Sequence, residues 1–381
     1  MVVVEMAGLP TRVLIFTSSA GTAHDAAADA LQQWIARRLP SAQVRIESVL
    51  ENASRAGGMA VSLYNWIQRR APWLHYIYWR FCELEDVTKP GTLLVGRRYI
   101  QNLLEDYRPQ LVISTYPHTN RGHFPFVKRV LRRLGQSVRC VVCCTEVDGG
   151  FGFSRNWVSG RADTFWAITP EVRHEAARRG TPAERLVTWG PLLYPAYHET
   201  PPAPLALAGR PQLVLGTGGN GANNHVALLE ALLPLSAWLD VRVLCGKRDR
   251  VREEIQHWAR AHPELAVEPM GFLGPEQMVE LYRTAWALVA RPGARTATEA
   301  LVLGCPLIFN VMGGTMPQEQ LARRYFRARQ LESVIKRPAD LVPVLQAWRA
   351  DPQVYQQLRA RMHQERLQSN QEQILSGLLH V

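Results

Sequence analysis

The sequence predicts an α/β protein of two doubly wound, Rossmann-like parallel-sheet domains facing a cleft. Three observations carry this. The chain has 381 residues, more than a single hydrophobic core usually serves. Short apolar runs alternate with helical patterns from end to end, which is the signature of βα units. A proline-rich stretch, Tyr194 to Pro211, "YPAYHETPPAPLALAGRP", interrupts that alternation midway.

In order, the first half offers strands at "RVLIFTS", "AQVRIES", "LVISTYP", "VRCVVCCTE", "TFWAIT" and "LVTWG". The second offers "QLVLGTG", "DVRVLCG", "ALVAR" and "PLIFN". Their nearly continuous apolar character suits strands buried on both faces of a parallel sheet. Helical stretches separate them, among them Ala23 to Leu39, Ala222 to Leu239 and Pro275 to Ala285. The expected division is a first domain over 1–193, a stiff non-helical linker over 194–211, and a second domain over 212–345. A terminal helix around 355–381 is expected to pack back on the first domain. Ligands of such sheets bind beyond the carboxyl ends of the strands.

Composition narrows the class. Apolar residues make up 47% and charged residues 20%, which describes a folded protein and not a disordered one. No 18-residue apolar run is available to span a bilayer, and "MVVVEMAGLPTRVLIF" has no secretory n-region or cleavage site, so a cytoplasmic protein is expected. The cysteines of "CVVCC" lie in a β-branched run whose alternation points Cys143 and Cys144 to opposite faces. Buried free thiols are expected there, with neither a metal site nor a disulfide. The net charge of +11 suits phosphates, nucleic acid or an anionic membrane. Nucleic acid is set aside because no recognition-helix or RNP-like motif is present.

Four stretches carry chemistry. In "LVLGTGGNGANNHVALLEALL", glycines 216, 218, 219 and 221 stand between a strand and a helix. Glycines there let backbone N–H groups approach a phosphate closely. The Walker pattern is absent, and no acid ends the next strand as the dinucleotide fingerprint requires. In "ARPGARTATEALVLGCPLIFN", Thr296 and Thr298 stand at a helix start with Glu299 in its first turn. That glutamate either complements the helix dipole or accepts two ribose hydroxyls. Gln318, Glu319 and Gln320 of "GGTMPQEQLARR" offer groups suited to sugar hydroxyls. Met59 to Leu84, "MAVSLYNWIQRRAPWLHYIYWRFCEL", holds three tryptophans and three arginines. That composition suits a segment lying in a membrane interface, and equally an ordinary packed helical hairpin.

These stretches, with "SSAGTAHDAAADAL", "GTLLVGRRYIQNLLEDYRPQLVISTYP" and "VVCCTEVDGGFGFSRNWVSGRADTFWAITPEVRHEAARRGTPAERLVTWGPLL", resemble the inverting two-domain glycosyltransferases of the GT-B kind. Within these, the resemblance is to the monogalactosyl- and glucosyl-diacylglycerol synthases, with the lipid-linked N-acetylglucosaminyltransferases of peptidoglycan synthesis as cousins. It implies that a hexose moves from a UDP-sugar in the second domain to a lipid hydroxyl, diacylglycerol, held by the first. No metal or other cofactor is implied. By position, Gly218 and Gly219 hold the donor diphosphate, with Asn220 and Gly246 nearby. Phe272 and Leu273 face the nucleobase, Thr296 and Arg295 the phosphate, Glu299 the ribose, and Gln318 and Glu319 the transferred sugar. Gly21 and His118 line the acceptor side, together with His123. Trp66, Arg69, Arg70, Trp73 and Trp79 belong to the segment that docks on the anionic inner face of the cell membrane.

The resemblance also gives a role to the lone ring of the opening turn. Inverting transfer needs a base for the acceptor hydroxyl, and an imidazole at His24, with a pKa near 6.5, is matched to neutral pH. Asp25 either orients that ring or is an N-terminal helix acid. Glu146 and Asp148 in "TEVDGG" are the rival bases, since they too follow a strand. Three departures are visible. Arg295 replaces a glycine of the galactolipid pattern, Ala322 stands where the family has asparagine, and Ala20, Thr22 and Ala23 thin the glycines around Gly21. The residues leave open an epimerase of the same architecture acting on a UDP-sugar, a transferase for another acceptor, and a non-catalytic lipid-binding relative.

Overall fold

The computed structural model describes residues 10–21, 23–53, 55–70, 74–84, 96–206, 209–216, 224–369 and 371–379. The chain divides into two compact units: 1–67, 74–195 and 368–381 in the first, 68–73 and 196–367 in the second.

The first unit is built on β1 (Arg12–Thr17), β2 (Gln43–Ser48), β3 (Leu111–Ser114), β4 (Arg139–Cys143), β5 (Thr164–Ala167) and β6 (Leu186–Thr188). They form one parallel sheet in the order β2-β1-β3-β4-β5-β6. Its helices are α1 (Ala23–Arg38), α2 (Val49–Ala53), α3 (Arg55–Arg70), α4 (His75–Leu84), α5 (Arg97–Tyr107), α6 (His123–Arg133) and α7 (Pro170–Arg178). The chain order reverses between β1 and β3, so the loops after these two strands flank the point where such sheets bind ligands.

In the second unit, α8 (Pro195–Glu199) precedes β7 (Gln212–Leu215), α9 (His225–Leu232), β8 (Asp240–Leu244), α10 (Asp249–Ala261), β9 (Ala266–Met270) and α11 (Pro275–Thr284). Then come β10 (Ala287–Ala290), α12 (Ala294–Leu303), β11 (Leu307–Asn310), α13 (Glu319–Ala328), β12 (Ser333–Ile335), α14 (Leu341–Ala350) and α15 (Pro352–Gln364), after which α16 (Gln371–Leu379) belongs to the first unit and joins its core. The second sheet is again parallel, β12-β11-β10-β7-β8-β9, with its switch point between β7 and β10.

Sequence chemistry explains the layering. Strands β3, β5, β10 and β11 are buried at every position, as central strands covered by helices on both faces must be. Helix α1 lays four buried alanines, with Leu31, Trp34 and Ile35, against the sheet. Asp25 in its first turn and Arg37 and Arg38 in its last complement the helix dipole. Cys143 sits in the first core among Val13, Ile113 and Trp166. Cys140, Cys143, Cys144, Cys245 and Cys305 are all buried free thiols, and burial pushes the Cys140 and Cys143 thiols far up.

Two expectations change. The linker is not free of helix: Pro195–Glu199 forms α8, because a proline at the first helical position needs no backbone donor. The terminal helical stretch is split. Tyr355 of α15 packs in the second core, whereas Ile374 and Leu378 of α16 join the first. A tight seat holds that last segment. A Cβ on Gly190, whose φ is +80°, would meet the Gln368 carbonyl oxygen at 2.0 Å, and one on Gly377 would meet the Trp189 ring at 2.2 Å.

Candidate active site

In the first unit, the opening turn after β1 passes Gly21 at φ +88°, a conformation that favours glycine. Helices α2 and α3 tie this turn down. Glu51 accepts from the Ser18 hydroxyl at 2.9 Å and the Ser19 N–H at 2.7 Å, and Asn65 bonds Gly21 N–H at 3.3 Å and the Ser19 carbonyl at 3.0 Å. Ala20 packs with Val61 and Tyr116.

His24, half-buried at the start of α1, follows that turn. Its Nδ1 donates to the Thr115 carbonyl oxygen at 2.7 Å, at the end of β3. A carbonyl only accepts, so the proton of the neutral ring is on Nδ1 and the Nε2 lone pair is left to act as a base. The ring stands edge-on to Tyr116 with centroids 5.0 Å apart and tilts against Trp157 at 6.0 Å. Loss of solvent lowers its pKa to about 4, outweighing the Thr115 bond and the nearby Asp25 carboxylate, which raise it. Asp25 accepts from the Thr17 hydroxyl at 2.9 Å. The ring's orienter is therefore the Thr115 carbonyl.

The other base candidates gather at the end of β4. Burial raises the Glu146 carboxyl to about 7, with the Trp157 indole pulling the other way. Trp157 thus lies against both Glu146 and His24. Asp148 is buried and accepts from the Gly149 N–H at 2.8 Å. His118 Nδ1 accepts from the Asn156 amide at 3.3 Å and its ring tilts on Tyr116 at 5.3 Å. His123 is buried against Phe16, with its pKa lowered to about 4 by burial. Asn120 fixes the Asn156–Trp157 loop by donating to both carbonyls, at 3.1 and 3.3 Å. Sequence reading missed Thr115, Trp157 and Asn156.

Next to these residues is an exposed apolar face. Met59, Leu63 and Trp66 recur at helical spacing on α3 and are all exposed, Met59 by 68%. Ile77 of α4 is 66% exposed. Phe151, also exposed, stacks on Tyr76 at 6.2 Å and meets Trp79 edge-on at 5.3 Å. Glu83 of α4 accepts from the Ser154 hydroxyl and from the Arg155 N–H at 2.9 Å, joining the helix to the Trp157 loop. The Arg69 and Arg70 side chains and Trp73 lie outside the described residues. Among the described residues, no helix is long and apolar enough to cross a membrane.

In the second unit, the described candidate donor residues lie in the segments that follow β8, β9, β10 and β11. Gly246 follows β8 at φ +61°, and Lys247 Nζ lies 4.7 Å from the ring centroid of Phe272, which follows β9 and is largely exposed beside Leu273. Gly218, Gly219 and Asn220 lie outside the described residues. Helix α12 begins at Gly293 with no side chain capping it, so the amides around Thr296 have no intrahelical acceptor. Glu299 is 3% exposed. It accepts from the Tyr282 hydroxyl at 2.8 Å and from Arg295 Nε at 2.7 Å.

Glu319 is held in a buried ion pair. It is 2% exposed, accepts from Arg291 Nε at 3.0 Å and Nη2 at 2.5 Å, and also from the Met316 N–H at 2.8 Å. Arg291 also reaches the Met312 and Gly314 carbonyls, at 3.0 and 2.7 Å. Glu319 therefore anchors the 312–319 loop through Arg291. Among the described residues, no cluster of three His, Cys, Asp or Glu is arranged to hold a metal ion.

Residues 24–192 match the monogalactosyldiacylglycerol (MGDG) synthase family and residues 213–370 the glycosyltransferase family 28 C-terminal domain. The chain is a GT-B glycosyltransferase of the diacylglycerol-synthase-like kind. The processive diacylglycerol beta-glucosyltransferase of Bacillus pumilus is 23% identical over 75% of this chain and 73% of its own length. The MurG structure from Acinetobacter baumannii superposes with a TM-score of 0.59 at 14% identity, covering 97% of this chain and 99% of its own. The UDP-GlcNAc 2-epimerase of Neisseria meningitidis gives 0.55 at 10% identity, covering 96% and 99%. These structural likenesses establish the shared GT-B architecture.

Proposed function

We propose that this glycosyltransferase moves a hexose from a UDP-sugar to the free hydroxyl of diacylglycerol with inversion, working on the inner face of the cell membrane. The carrying observation is His24: a neutral imidazole, oriented by the Thr115 carbonyl with Nε2 left as a base, next to an exposed apolar face of the same unit. In the proposed step, Nε2 takes the proton of the lipid hydroxyl as its oxygen bonds to the anomeric carbon. The bond from that carbon to the diphosphate breaks, and UDP leaves with its electron pair. The developing charge on the diphosphate is met by the α12 amides, Thr296 and Arg295, with no metal required. Gln318 bonds the sugar. The relatives named as diacylglycerol glucosyltransferases support the acceptor.

The test is mass spectrometry of lipids after incubation with diacylglycerol liposomes and UDP-glucose, UDP-galactose or UDP-N-acetylglucosamine. A β-linked glycosyl-diacylglycerol is the expected product. No glycolipid from any donor would overturn the reading, and an epimerised UDP-sugar formed without lipid would replace it.

The apolar face makes its own prediction. Arg55 and Arg80 are exposed on the same two helices, ready for anionic headgroups. Ile77→Asp with Phe151→Asp is expected to weaken liposome binding by about 100-fold, since each buried apolar side chain contributes about 1.5 kcal/mol. UDP binding should be unaffected. Unchanged co-sedimentation would remove this face from membrane docking.

A further inference from the structure

Arg295 closes the carboxylate that the donor's ribose would need. Glu299 is almost fully buried, with one oxygen bonded to the Tyr282 hydroxyl and the other to Arg295 Nε. A buried carboxylate needs such partners, because leaving it unmatched is strongly unfavourable. Two ribose hydroxyls can take over the role of the guanidinium, whereas Tyr282 can stay in place, since each carboxylate oxygen accepts more than one bond. The displaced guanidinium then needs a new acceptor.

Its position supplies one. Arg295 is the second residue of α12, whose N-terminus carries no side-chain cap. Its side chain runs forward along the helix to reach Glu299 four residues on, and is 31% exposed. Turned the other way, the same side chain reaches past the first turn, toward an anion held by the helix amides.

We propose that Arg295 is a two-position switch: it pairs with Glu299 in the empty protein and moves to the donor's diphosphate when a nucleoside diphosphate binds, releasing Glu299 to the ribose. The inference rests on the donor reading above and adds a selectivity device to it. A nucleoside without phosphates must break the Arg295–Glu299 pair and offers the guanidinium nothing in return. A nucleoside diphosphate breaks the same pair and replaces it with a charge-assisted bond of equal kind. Every state thereby keeps both the buried carboxylate and the guanidinium paired. The switch requires a long cationic side chain at this position, which the glycine of the galactolipid pattern cannot provide.

Calorimetric titration of wild type, Arg295→Leu and Arg295→Lys with uridine and with UDP tests this. Removing the competitor should tighten uridine binding in Arg295→Leu by about tenfold, while loss of the phosphate partner weakens UDP binding by at least about tenfold. Arg295→Lys should recover much of the UDP affinity. Equal thermal melting of the free variants excludes a folding defect, and a variant that melts early is replaced by Arg295→Met. Shifts of the same sign for both ligands, or no shift for either, overturn the switch while leaving the donor reading intact. If wild type binds no UDP, the donor reading fails and the switch with it.

Discussion

His24→Ala is expected to lower kcat by about 10²- to 10⁴-fold, the usual contribution of a positioned general base, while UDP binding stays at the wild-type level. The expectation follows from position. His24 is in the first unit, held by the Thr115 carbonyl and by Tyr116 and Trp157, whereas every candidate donor residue is in the second. The pH profile separates His24 from its rival. With a pKa lowered to about 4, His24 stays in its base form down to about pH 5, so the rate should hardly fall between pH 7.5 and 5.5. Glu146, raised to about 7, would be protonated as pH drops through 7. A rate controlled by it would fall nearly tenfold per pH unit below that point. A flat acid limb combined with an inactive His24→Ala assigns the base to His24. An acid limb centred near 7, with Glu146→Gln inactive and His24→Ala active, assigns it to Glu146.

Much of the architecture was legible because buried parallel strands advertise themselves as apolar runs. The two strands that escaped notice are β9 and β12, the edges of the second sheet. β9 reads "AVEPM", with a proline that only an edge tolerates and with alternating exposure. β12 has three residues, too few for any period. The site was half legible. A histidine at a strand-to-helix turn is visible in sequence, but its orienting carbonyl is 91 residues away, and a carbonyl has no residue signature. Trp157 belongs to no motif that would set it apart from a core aromatic. The ion pair that holds Glu319 has no local signature, because its partner Arg291 stands 28 residues earlier. Phe151, in a glycine-rich loop, joins the exposed face only through its stacking on Tyr76.

Acid should destabilise the protein steeply, since burial lowers five histidines, 24, 75, 123, 198 and 225, from 6.5 to about 4. Between those values the unfolded chain binds protons that the native chain refuses. Stability is therefore greatest above 6.5 and is lost as pH falls toward 4. Each such histidine contributes a slope of up to about 1.4 kcal/mol per pH unit, large beside a total stability of about 5–15 kcal/mol. Glu146 acts in the opposite sense: raised to about 7, it keeps a proton in the native state that the unfolded chain releases above its ordinary value near 4.5. It offsets one histidine and leaves the net sign unchanged. The urea midpoint should therefore drop sharply between pH 7.5 and 5. His123 isolates the cause, being buried against Phe16 with no hydrogen-bond partner for Nδ1 among the described residues. His123→Leu, of similar bulk, removes an unsatisfied polar atom and a suppressed titration together. It should raise the midpoint at pH 5 clearly more than at pH 7.5. Equal effects at both pH values would show that His123 is not among the groups responsible for acid lability.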